Sequence, residues 1–151
     1  MPERSASLLA GRNQHPLDHS DIRRVSNTFL GFDDQVNARY DPDAVTAFRV
    51  VPDEREPYGE IVFGPDIYPG RSVVDPNSAL SMEAAVAHEL THHYRWLDKT
   101  QVSEADLEHL DEALTSLQAI GRYRGRLKES AVYELVTDAV TRLSLYLDSL
   151  R

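Results

Sequence analysis

The chain has no cysteine among its 151 residues. Disulfide frameworks and thiolate metal sites are thereby excluded, so any metal must be held by His, Asp or Glu. No stretch of the sequence approaches the ~20 apolar residues needed to span a bilayer as a helix, and no membrane partner is expected. A basic surplus is lacking too. The formal net charge of −9 and pI near 5.0 argue against docking on a phosphate backbone, so no nucleic-acid partner is expected. There are no internal repeats and no low-complexity tract, which excludes an array architecture. The N-terminal segment Met1-Pro2-Glu3-Arg4 through Pro16 lacks the apolar core of a signal peptide, and the expected compartment is the cytoplasm. A chain this long corresponds to about one domain with a sizeable core. Residues 1–16, polar and turn-rich, read as a flexible tail, and 17–151 as that single domain.

What is present is the run Ala87-His88-Glu89-Leu90-Thr91-His92-His93-Tyr94. Histidines at i and i+4 lie one turn apart on one helix face, so both imidazoles can reach a single cation. Glu89 lies about 100° around the helix from His88, beside the metal rather than in line with the ligand pair, where a general base acting on a metal-activated water belongs. A zinc ion with three protein ligands keeps its fourth position for water and generates a nucleophile near neutral pH. One more ligand is then needed, and Glu112 is the candidate. Ser103-Glu104-Ala105-Asp106 reads as a capping box opening a helix whose apolar stripe is Leu107, Leu110, Leu114 and Leu117. Glu112 points away from that stripe, among Ala105, Glu108, Thr115, Ser116 and Ala119, short side chains that let a second helix approach.

These residues resemble the gluzincin metallopeptidases, the thermolysin-like group, in which H-E-x-x-H is followed by a ligand glutamate in a motif like N-E-x-x-S-D. The counterparts are His88, Glu89 and His92, then Asp111-Glu112-Ala113-Leu114-Thr115-Ser116, and the match covers roughly residues 82–120. Asp111 stands where the group usually has Asn. Ser116 stands where an Asp normally orients the first zinc histidine, leaving that part to the serine or to another carboxylate such as Asp138. The resemblance implies a zincin-like α+β fold, mainly helical, with Zn²⁺ as cofactor and a peptide or protein as substrate. It also implies an edge strand beside the zinc helix that binds extended substrate, for which Phe63–Tyr68 and Val73-Val74 are the candidates.

Around the motif the pattern predicts a small β-sheet or hairpin preceding the zinc helix. Asp18 caps a first helix carrying Ile22, Val25 and Phe29. His15 and His19 are read as unrelated to metal, because they straddle a proline and a helix start without a carboxylate at ligand spacing. Ala44–Val51 and Glu60–Phe63 are β-prone, with Pro52–Gly59 as the link, and prolines place Ile67-Tyr68 on an edge. Ser81 is the expected N-cap of a helix over Met82–Leu97, with Val86, Leu90, Tyr94 and Leu97 on the core side and Ala84, Ala85, His88, Glu89 and His92 on the metal side. His93 is off the ligand line. The run Gly121-Arg122-Tyr123-Arg124-Gly125-Arg126 is a solvated loop or a source of oxyanion stabilisation. A final helix, 129–150, is expected to pack through Val132, Val136, Ala139, Leu143, Leu147 and Leu150. The expected function is zinc-dependent peptide hydrolysis with Glu89 as general base. The alternative is a catalytically inactive zincin-like binding or regulatory domain, which a fourth ligand such as His93, Asp111 or Asp138 would favour.

Overall fold

The computed structural model describes residues 12–69 and 80–151. Helix α1 (His19–Phe32) is capped by the Asp18 carboxylate, which accepts the Asp21 N–H at 2.8 Å, and it buries Val25 and Phe29 as its spacing predicts. Three strands follow: β1 (Ala38–Tyr40), β2 (Ala47–Val51) and β3 (Tyr58–Phe63). β3 is central, parallel to β1 and antiparallel to β2, with Phe48 opposite Ile61 and Val51 opposite Tyr58. The β2–β3 hairpin matches expectation. β1 was not anticipated, because three residues between charged and turn-forming neighbours carry no readable alternation.

Beyond β3 the expected edge does not form. Gly64 turns the chain into a 3₁₀ turn over Pro65–Ile67, with Ile67 fully buried. A Cβ on Gly64 would stand 1.8 Å from the Ala44 carbonyl oxygen, so only glycine permits this approach. The Asp66 carboxylate then accepts the Thr46 N–H at 3.0 Å and the Thr46 hydroxyl at 2.8 Å, fixing where β2 begins. Val73-Val74 lies outside the described residues. The expected tail is held at its inner end: Arg12 bridges to Pro69 and donates to the Asp66 carbonyl at 2.8 Å, and the Asn13 N–H donates to the Tyr68 carbonyl at 3.1 Å.

Helix α2 (Met82–Leu97) starts at Ser81, whose hydroxyl accepts the Ala84 N–H. Val86 and Leu90 are fully buried, and with Val25, Phe29, Ile61, Phe63, Ile67 and Leu135 they form the core, each large side chain contributing about 1.5–3 kcal/mol by leaving water. Leu97, expected on the core side, is exposed at the last turn of the helix. The chain reverses through Lys99 at φ 58°, while the Thr100 N–H returns to the Arg95 carbonyl at 2.9 Å.

The capping box does not form. Ala105–Leu107 is a 3₁₀ turn, and α3 (Glu108–Arg122) opens without a side-chain cap. Asp111 organises this corner instead, accepting the Val102 N–H at 2.8 Å and pairing with buried Arg95 at 2.5 Å. A guanidinium so enclosed requires a carboxylate rather than an amide, which accounts for Asp at this position. On α3 the short-side-chain face expected to meet a second helix is the buried one, with Ala113, Thr115, Ser116 and Ala119, whereas the leucine stripe is only half-buried at Leu107, Leu110 and Leu114 and exposed at Leu117. Helix α4 (Glu129–Ser149) buries Ala131, Leu135, Asp138 and Ala139, and leaves Val136, Leu147 and Leu150 of its expected packing face in solvent. Close helix approach selects small side chains over large ones. Among the described residues no helix is long and apolar enough to cross a membrane.

Candidate metal centre

Contacts between α2 and α3 run in opposite directions along the two helices: Arg95 meets Asp111, His92 meets Thr115, and His88 meets Ser116. That antiparallel crossing brings Glu112 over the histidine pair. Glu112 Oε2 stands 2.8 Å from His88 Nε2 and 3.1 Å from His92 Nε2, and the two imidazole nitrogens are 3.1 Å apart. Ligand atoms about 2.0–2.1 Å from one tetrahedral ion stand about 3.3 Å from each other, so three donors converging this closely fit a single small cation. No fourth His, Asp or Glu donor joins the group among the described residues.

The remaining nitrogens of both imidazoles are occupied. The His88 Nδ1–H donates to Ser116 Oγ at 2.8 Å, and the Ser116 hydroxyl donates to Asp138 Oδ2 at 2.6 Å. Both sequence candidates for orienting this ring are therefore used, in series rather than as alternatives. Asp138 is in turn paired with Arg142 at 3.3 Å, one helical turn along α4. The His92 Nδ1–H faces Thr115 Oγ1 at 3.4 Å. Nε2 of each ring is left directed at Glu112.

In the metal-free protein these groups carry strong mutual electrostatics. Burial opposes charge on His92, but Glu112 outweighs it and pushes the imidazole up to about 9. Burial likewise opposes charge on Glu112, yet His92 and His88 hold its carboxyl well below the usual carboxylate range. A proton here occupies the role a cation would take. Glu89 is different: burial pushes its carboxyl upward against the pull of His92 and His88, and its Oε2 is buried without a hydrogen-bond partner. The Phe48 backbone N–H donates to the same carboxylate.

The four motif residues open onto one cavity of about 290 Å³, whose other walls include Ala47 and Phe48 of β2 with Val45 and Thr46 before it, Arg12, Asp66, Asp138 and Arg142. Sequence reasoning missed Arg12 and Arg142. Arg142 had a signal in its i+4 spacing from Asp138, whereas Arg12 had none, reaching Asp66 across 54 residues of chain. The arginine run that starts in the last turn of α3 faces elsewhere. Arg122 stacks on Tyr94 at 4.2 Å, and Tyr123 packs edge-on against Phe32, so neither lines the cavity. His93 packs against Phe48 and Trp96, outside the metal group. Asp111 is committed to Arg95, and His15 and His19 are exposed. No family model, curated protein or solved structure matches this chain.

Proposed function

We propose that this chain is a zinc-dependent metallopeptidase of the gluzincin type, with a zincin-like fold, acting on a peptide or protein in the cytoplasm. The observation carrying this reading is the meeting of His88, His92 and Glu112 within hydrogen-bonding distance of one another, in a cavity that also contains the unpartnered Glu89 oxygen. Bound Zn²⁺ supplies Lewis acidity, polarising a carbonyl and lowering the pKa of water to about 7.

The protein's own groups do the rest. Glu89 Oε2 takes a proton from the attacking water and delivers it to the leaving amine nitrogen, while the Phe48 N–H steadies its carboxylate. Burial, by raising the Glu89 pKa, makes this carboxylate a stronger base than one in water. Arg142 keeps its charge because Asp138 and Glu112 overcome the cost of burial, and its guanidinium lines the cavity as donor to the oxyanion that forms. The segment Val45-Thr46 and the start of edge strand β2, Ala47-Phe48, form the wall along which an extended peptide would lie, in place of the edge expected after β3.

A fourth protein ligand would favour the inactive zincin-like alternative, but among the described residues none joins the group, and Asp111 and Asp138 are engaged by Arg95 and Ser116. The test is Glu89→Gln in zinc-loaded protein assayed on a mixed fluorogenic peptide library. Zinc content is expected to remain at the parent's level while hydrolysis falls by about 10²–10⁴-fold. Cleavage at the parent's rate would refute the mechanism.

A further inference from the structure

Helix α4 carries a second apolar pattern that the fold does not use. Tyr133, Val136, Val140, Leu143, Leu147 and Leu150 follow one another at intervals of 3, 4, 3, 4 and 3 residues, the a/d spacing of a coiled-coil seam. They line the side of the helix opposite buried Asp138. Tyr133 is 70% exposed, Val140 56%, Leu147 58% and Leu150 64%. Beyond Ala139 the helix is only half-buried, at Thr141, Arg142, Leu143 and Tyr146, and its outer face, with Val140, Leu147 and Leu150, packs against nothing in the described fold. A seam with this period fits another helix, through knobs set into holes, rather than a flat or extended partner.

We propose that two copies of this chain associate through the outer faces of α4, antiparallel about a twofold axis. Antiparallel pairing sets Tyr133 against Leu150, Val136 against Leu147 and Val140 against Leu143, so every layer combines one leucine with one aromatic or β-branched side chain. Parallel pairing would stack Tyr on Tyr at one end and Leu on Leu at the other. The twofold arrangement also opposes the helix dipoles favourably. Charge is compatible with self-association despite the net −9, because the flanking positions Thr137, Ser144 and Tyr146 are uncharged. The seam is about 26 Å long, giving an interface at the small end of specific ones.

The full chain should shift from monomer to dimer in sedimentation velocity between about 1 and 300 µM, the range suited to a small interface. Val140→Glu combined with Leu147→Glu should leave it monomeric with unchanged helical circular dichroism. Because the chain has no cysteine, a mixture of Tyr133→Cys and Leu150→Cys proteins should form a disulfide-linked pair on oxidation, and neither protein alone should. In the proposed dimer position 133 lies about 26 Å from its own copy, far beyond the roughly 7 Å Cα separation a disulfide can bridge. This cross-link uses mild substitutions, so it decides the matter even if the glutamate pair disturbs folding. A monomer at every concentration, a dimer indifferent to the glutamates, no cross-link in the mixture, or a cross-link by Tyr133→Cys alone would each overturn the proposal.

Discussion

At Ser116 the chain inserts a hydroxyl where a carboxylate could have met His88 directly, and the carboxylate reappears one link further out as Asp138. The histidines and Glu89 were legible because helical period alone places i, i+1 and i+4. Glu112 could be singled out because its helix face holds short side chains. The relay was only half legible, since nothing local in the sequence says that Asp138, 22 residues past Ser116, lies within reach. Removing the link isolates two buried groups at once. Ser116→Ala is expected to weaken zinc affinity by about 10–100-fold, measured by competition with a chelating indicator. An affinity equal to the parent's would mean the ring is oriented by packing alone.

For whole elements, apolar periodicity identified the helices and the buried faces of α1 and α2, but it overstated how deeply the leucine and valine stripes of α3 and α4 are buried. α3 packs through Ala113, Thr115, Ser116 and Ala119, because the donors must approach within hydrogen-bonding distance and large side chains would hold the helices apart. Leucines at regular spacing are an equally good signal for a surface awaiting a partner, and sequence cannot distinguish the two cases. Two substitutions separate them. Ala113→Leu should overpack the interface and cost about 1–3 kcal/mol in urea denaturation, with zinc affinity reduced as α3 moves out. Leu117→Ala, the graver change on a leucine-core reading, should stay within about 0.5 kcal/mol. The reverse ranking would contradict the observed packing. The 3₁₀ turn before α3 escaped a capping-box reading for a similar reason. A long-range claim on Asp111 by Arg95 outweighs a local capping preference.

Across the whole molecule, the three side chains that could hold a metal also tie the stability of the fold to pH. In metal-free protein the raised His92 pKa favours the fold fully below pH 6.5, and that contribution is lost as pH rises through about 9. The depressed Glu112 pKa favours the fold above pH 4.5, and its contribution is lost on acidification. The melting temperature of chelator-treated protein should therefore peak between those values and decline toward pH 9, whereas zinc-loaded protein should not share the decline, because the cation replaces the proton. Parallel pH profiles with and without zinc would break this link. The helices and the β2–β3 hairpin were legible from apolar periodicity and alternation, but the sheet order rests on β1 pairing with β3 past the intervening β2, and the placement of Arg12 on contacts across more than 50 residues, which no local pattern encodes. The most direct test of the central claim is metal analysis of purified, zinc-equilibrated protein beside its Glu112→Ala variant. One equivalent of zinc is expected in the parent and its loss in the variant; zinc retained in full without Glu112, or absent from both, would contradict the three-ligand site.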